Sequence, residues 1–225
     1  MRPLSKRLQV IFDLVPDEAL VADIGTDHAY LPIALSKSGK AKKIIACDIK
    51  EKPLKTAQKN IEKFNIQNID LRLGDGVSPV KEQEVNTVII AGMGGDVISH
   101  IISSCSWLKN SDVLLLLQPM TSAELLRTFL YKNLFEIKKE IAVSDSSKVY
   151  SVMCVGYSGV NKQYPTGSEF IGKVSSDTPD GRLYIEKQRS RIKKCINMLS
   201  SVESKQDEVK HLSEILNYIE KNQEN

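Results

Sequence analysis

Apolar residues along the chain recur in two rhythms. Leu4, Leu8, Ile11, Phe12 and Val15 follow helical spacing up to Pro16, which predicts an amphipathic helix ahead of the first strand. Its polar side carries Lys6 and Arg7. Beyond it, short apolar runs alternate with helical stretches. Strands are predicted over 20–24, 43–47, 69–73, 87–91 and 112–117, and helices over 29–38, 52–64, 96–105 and 121–132. These helices supply the crossovers that parallel strands need. The connection between the third and fourth strands has no such pattern. The unbroken apolar run 113–117 suits a strand covered on both faces, which points to a doubly wound α/β sheet.

After the fifth helix, two runs over 135–143 and 149–157 are joined by the short polar stretch 144–148, too short for a helix, so they are expected to pair antiparallel. A mostly parallel sheet ending in one antiparallel pair resembles the class I (Rossmann-like) seven-stranded methyltransferase fold more than a dinucleotide-binding dehydrogenase. Residues 156–181 are rich in Gly, Ser, Asp and Pro and are expected to run irregularly over the surface. Ile185, Ile192 and Leu199, then Val209, Leu212, Leu216 and Ile219, mark two helical stripes around the polar stretch 203–207, which predicts an antiparallel helical hairpin. The expected division is a catalytic domain over 1–157 and a linker with a C-terminal helical domain over 158–225.

The length of 225 residues agrees with one large domain and an appendage. No apolar run approaches the roughly 20 residues that cross a bilayer, and the Met-Arg-Pro-Leu-Ser start lacks a signal peptide's apolar stretch, so a cytoplasmic protein with no membrane partner is expected. Cys47, Cys105, Cys154 and Cys195 are widely spaced, form no Cys-x-x-Cys pair and lie near no His cluster; they read as reduced and structural, and no metal is expected. The formal charge of +3 favours a polyanionic partner only weakly. Arg182, Lys187, Arg189, Arg191, Lys193 and Lys194, however, crowd one predicted helix against Glu186. Such a face suits a phosphate backbone; a merely solvated face is the competing reading.

Candidate chemistry gathers where the strands end. Val21-Ala-Asp-Ile-Gly-Thr-Asp-His-Ala-Tyr30 places Asp23 and Gly25 at the end of the first strand, where doubly wound folds bind ligands. A dinucleotide fingerprint would need glycines at the positions of Asp27 and Tyr30, and carboxylates repel a pyrophosphate. S-adenosylmethionine, with its ammonium and sulfonium, suits an acidic turn. Asp48, followed by Ile49, stands roughly 20 residues on, where an acidic side chain accepts from ribose hydroxyls. Asp75 in Gly74-Asp75-Gly76 is placed to accept from an adenine amine, with Gly76 making room. Ala91-Gly-Met-Gly-Gly95 is a glycine-dense turn at the expected methyl-transfer position, and Gln118-Pro-Met120 offers an amide and an apolar wall at the same edge. The cofactor set is therefore Asp23, Gly25, His28, Asp48, Ile49, Asp75, Gly76, Gly92 and Gln118.

Together Leu4-Ser-Lys-Arg-Leu8, Asp23-Ile-Gly-Thr-Asp-His-Ala-Tyr-Leu-Pro32, Leu73-Gly-Asp-Gly76, Ile90-Ala-Gly-Met-Gly-Gly95 and Leu117-Gln-Pro119 resemble the bacterial TrmK-type tRNA methyltransferases. The resemblance spans residues 4–157, and the C-terminal helices look like that family's coiled-coil appendage. It implies transfer of a methyl group from S-adenosylmethionine to N1 of adenine 22 in tRNA. That nitrogen carries its own lone pair, so positioning dominates, with on the order of 7–11 kcal/mol available from near-attack geometry. Asp27 is the candidate for stabilising the cationic product, with Tyr30 and Met93 flanking the base. The base must leave its stack to be reached. Lys6, Arg7, Arg182, Arg189, Arg191, Lys193 and Lys194 are the candidate phosphate contacts. A monomer is expected, with a dimer as the alternative. On the residues alone, a methyltransferase of a small molecule or protein and a non-catalytic RNA-binding module remain open.

Overall fold

The apolar runs become one seven-stranded sheet in a computed structural model that describes residues 3–222. Its strands are β1 (Ala19–Ile24), β2 (Ala41–Asp48), β3 (Ile69–Leu73), β4 (Thr87–Gly94), β5 (Leu114–Thr121), β6 (Phe135–Asp145) and β7 (Lys148–Tyr157), in the order β3-β2-β1-β4-β5-β7-β6. The first five run parallel, and β7 enters antiparallel between β5 and β6. The helices between them are α1 (Lys6–Leu14), α2 (Tyr30–Lys37), α3 (Glu51–Lys63), α4 (Gly95–Ser103) and α5 (Ala123–Lys132).

Successive strand residues face opposite layers, and both are filled. Val21, Ile44, Ile89 and Leu116 pack with Ile11 of α1 and Leu31 and Leu35 of α2. Their neighbours Ala22, Ile45, Ile90 and Leu115 pack with Ile98 and Ile102 of α4 and Leu126 of α5. This two-sided burial is why 113–117 carries no polar alternation. The chain steps outward from β1 to β3 and then returns to place β4 on the other side of β1, so the strand order reverses there. Ile24 is level with Cys47 and Ile90, and Ile90 with Leu117, which brings four strand ends to one crevice.

The structure departs from the pattern reading at several ends. β5 begins at Leu114 and continues through Gln118, Pro119 and Met120, and β4 runs to Gly94 with α4 starting at once. β6 and β7 meet across a two-residue turn, Ser146 and Ser147, shorter than the polar stretch suggested. The connection expected to be irregular contains α6 (Ser168–Ile171), whose apolar Phe170 and Ile171 are tied down by packing. α7 (Pro179–Leu199) starts ahead of its apolar stripe because Thr178 Oγ1 accepts from Gly181 N at 3.0 Å and Pro179 fits the first turn.

α8 (Gln206–Lys221) packs on α7 through Ile185, Ile192, Ile215 and Ile219, and the same cluster takes in Ala142 of β6. A wholly buried Arg127 of α5 adds to this seat. It pairs with Glu140 of β6 at 2.6 Å, and donates to the Glu169 and Phe170 carbonyls at 2.7 and 3.0 Å and to Tyr184 Oη at 2.7 Å. The helical hairpin is thus anchored to the sheet by apolar and polar contacts. The outermost residues of the two expected domains, 1–2 and 223–225, lie outside the described residues. Among the described residues, no helix is long and apolar enough to cross a membrane.

Candidate active site

The crevice begins with a turn that only unusual backbone can make. Gly25 has φ +77°, and Gly25 N and Thr26 N donate to the Cys47 carbonyl at 2.8 and 2.9 Å. A β-carbon on Gly25 would overlap the Met93 methyl group. Asp27 and Ala29 also hold positive φ before α2 starts at Tyr30, so the chain coils tightly around the strand end. This turn, the end of β1 and Gly92 enclose a cavity of about 300 Å³ lined by Asp23, Gly25, Thr26, Asp27, His28 and Tyr30, with Arg7 of α1 across from them.

Asp23 is 6% exposed, and burial pushes its carboxyl up to about 6; the Thr26 hydroxyl opposes this and the Asp48 charge adds to it. Thr26 Oγ1, close to the Asp23 carboxyl but making no hydrogen bond of good geometry, and His28 Nδ1 are both buried with no hydrogen-bond partner. A buried acid and two unsatisfied polar atoms in one cavity fit a ligand that brings a positive charge and hydrogen-bonding groups, as S-adenosylmethionine does. At the next strand end, Asp48 Oδ1 accepts from Lys50 N at 2.9 Å and its carbonyl accepts from Gly74 N at 3.1 Å. Beside it Ile49 and Leu73 leave apolar surface open, 61% and 53% exposed, as a flat base would require. Asp75 caps a turn in which its carbonyl accepts from Ser78 N at 3.1 Å. With Gly76 it lines a second cavity of about 270 Å³ beside His100 and Trp107.

The other expected residues fall into different roles. Gln118 is wholly buried: its Oε1 accepts from Arg7 Nη1 at 2.9 Å and its Nε2 donates to the Pro119 carbonyl at 2.9 Å. Its amide therefore orients Arg7, whose Nε also lies 3.4 Å from Asp145. Met93 is half-buried and packs against the core and Gly25. Gly92 has φ +79° and faces Arg7, whereas Gly95 lets α4 approach the Ser122 carbonyl at the start of α5. Asp27 is exposed, and His28 Nε2 lies 3.6 Å from its Oδ1, with the His28 ring 5.6 Å from that of Tyr30. A groove of about 690 Å³ continues from the cavity, sharing Arg7, Leu8, Asp27 and Tyr30 with it and adding Met120, Asp145 and Tyr150.

The basic candidates do not form one free patch. Lys6 and Lys194 are exposed. Arg182 donates to the Ser176 and Asp177 carbonyls at 2.9 and 3.3 Å. Arg189 pairs with Glu186 at 2.8 Å, Lys193 with Glu220 at 2.8 Å, and Arg191 with Glu124 at 2.7 Å. The charges counted on α7 are therefore largely answered by carboxylates from α5, α7 and α8. Thr26, Leu73 and Asp145 were missed in the sequence. Thr26 lay in plain view inside the turn, but nothing local marks Asp145 as Arg7's partner.

A family model described as a methyltransferase domain matches residues 4–153. The tRNA (adenine(22)-N(1))-methyltransferase of Bacillus subtilis is 37% identical over 151 residues, covering 67% of this chain and 63% of that protein. The crystal structure of the B. subtilis M1A22 tRNA methyltransferase TrmK superposes with a TM-score of 0.87 at 26% identity, covering 99% of this chain and 100% of that one. The chain belongs to the TrmK methyltransferase family. A second family structure, a putative tRNA (m1A22) methyltransferase from Streptococcus pneumoniae in complex with S-adenosyl-L-methionine, gives a TM-score of 0.80 at 29% identity over 95% of this chain and 100% of that one. The family's fold therefore extends through the C-terminal helices, beyond the stretch covered by the domain match.

Proposed function

We propose that this protein transfers a methyl group from S-adenosylmethionine to N1 of adenine 22 in tRNA, working in the cytoplasm as a monomer. The observation that carries this reading is the acidic cavity at the strand reversal, which adjoins a larger groove lined by Asp27, Tyr30 and Tyr150 and shares Asp27 and Tyr30 with it. The B. subtilis and S. pneumoniae relatives named above support the same substrate and cofactor.

Asp23 would take the cofactor's ammonium, Asp48 its ribose hydroxyls, and Ile49 and Leu73 the faces of its adenine, with Asp75 at the adenine's edge. Bound there, the cofactor supplies an electrophilic methyl group on a positively charged sulfur. The rest of the chemistry is positioning by this chain. Tyr30 and Tyr150 would hold the extruded adenine in the groove, with N1 turned toward the cavity. Asp27 lines both chambers, so its carboxylate sits where the base becomes cationic and stabilises that charge. Arg7, fixed by Gln118 and Asp145, would hold the target's phosphate. Lys6, Arg182 and Lys194 are the basic residues on the outer surface best placed to extend that grip, while Arg189, Arg191 and Lys193 contribute less because each is already paired.

Incubation with methyl-tritiated cofactor and a mixture of total RNA, protein and metabolites, followed by mapping of modified positions in tRNA, tests the reading. Label is expected in tRNA at adenine 22. Label in protein or a metabolite alone, or at another tRNA position, overturns it.

A further inference from the structure

Beyond the groove lies another cavity of about 300 Å³, between the end of β5, the start of α5 and one face of α7. It shares Met120 and Tyr150 with the groove, which in turn shares Arg7, Leu8, Asp27 and Tyr30 with the cofactor cavity, so the three follow one another in a row. The reading above leaves the third chamber without an occupant. Gln188 of α7 lines it, is 7% exposed, and has a buried Oε1 with no hydrogen-bond partner. An acceptor buried and unpaired is destabilising, so this position suits an N–H donor from outside the chain.

The remaining lining narrows the ligand. Arg191 donates to Glu124 Oε1 at 2.7 Å, so these two charges answer each other and the interior has no unpaired anion site. Lys187 stands exposed at the rim, its Nζ donating to the Val149 carbonyl at 3.2 Å. Tyr150, Met120 and Val149 give apolar walls. A neutral, flat group with N–H donors at its edge and an anionic tether outside matches this arrangement; a nucleobase on its phosphate is such a group.

We propose that this chamber receives a second nucleobase of the RNA, from a nucleotide flanking the methylated adenosine, with Gln188 reading an N–H donor on its edge and Lys187 holding its phosphate. The proposal rests on the tRNA reading above. Pulling one adenosine out of its stack removes a stacking partner from its neighbour, and a chamber next to the groove offsets that loss.

The test uses tRNA transcripts with an abasic site on one or the other side of the target, with the wild type and Gln188→Met. For the wild type, one of the two abasic sites should raise KM about fivefold to tenfold, the worth of one buried contact. Gln188→Met should show that rise with the intact transcript and no further rise with the abasic one, while its cofactor Kd stays at the wild-type value and its melting temperature does not fall, since the substitution removes an unpaired acceptor. Lys187→Ala, at the exposed rim, should weaken tRNA binding and lower its salt slope by about one. Wild type indifferent to both abasic sites, or penalties of Gln188→Met and the abasic site that multiply, overturns the chamber. Failure of the wild type to methylate the intact transcript would instead strike the tRNA reading itself.

Discussion

At the scale of single residues, the cofactor cavity is built around a charge that the folded chain holds reluctantly. Asp23 titrates near 6 instead of 3.8 because it is buried, so the folded protein binds its proton more tightly than the unfolded chain does. Stability without cofactor should therefore fall as pH rises from about 4 to about 6. A cationic ligand reverses the preference by favouring the carboxylate. Cofactor affinity, measured by calorimetry, is expected to level off above pH 6 and to drop about tenfold per pH unit below it. Asp23→Asn should bind weakly and without that slope; a wild-type affinity flat from pH 5 to 8 would remove Asp23 from the ammonium site. Asp27 differs because it is exposed and sits at the junction with the groove. Asp27→Ala should lower turnover by about 10²-fold with cofactor Kd little changed, as expected for a group that acts on charge developing in the transition state. Unchanged turnover excludes that role.

Among the elements, tight approaches set the crevice. α4 and α5 start side by side because Gly95 leaves room for the Ser122 carbonyl, which itself accepts from Leu126 N at 3.2 Å. Gly95→Ala would force these helix starts apart at an estimated cost of ~1–3 kcal/mol, visible as a lower melting temperature. An unaltered melting curve would mean that the two turns yield easily. The sheet itself was legible in the sequence because strands buried on both faces and amphipathic crossovers leave local signatures, as in 113–117 and 52–64. Asp23, Gly25 and Asp48 were legible for a similar reason: each lies at a strand end whose position the pattern already fixed. Gln118 was not, because whether its amide meets a ligand or Arg7 depends on a helix 111 residues away. Likewise α6 is too short for periodicity, and two of the three carboxylates that answer α7's cations come from other helices, α5 and α8.

For the whole molecule, the question is whether the C-terminal helices act as one body with the catalytic sheet. Arg127 concentrates much of the polar part of that union in one side chain, since one guanidinium meets Glu140, two carbonyls of α6 and the Tyr184 hydroxyl of α7. Glu140 in turn accepts from Lys173 N at 3.0 Å, so the pair ties the connection from both sides. Arg127→Met would leave a buried carboxylate without its partner, at a cost of about 3–5 kcal/mol and a melting temperature lower by on the order of 10 °C. Arg127→Met with Glu140→Leu should recover only part of that loss, because the two carbonyls and the tyrosine hydroxyl remain unanswered. Below its melting temperature, Arg127→Met should retain cofactor affinity, since the cavity around Asp23 takes no wall from α6, α7 or α8. Its KM for tRNA should rise, because α7 lines the chamber beyond the groove. Equal losses in cofactor and tRNA binding would instead mean that the buried pair supports the sheet itself.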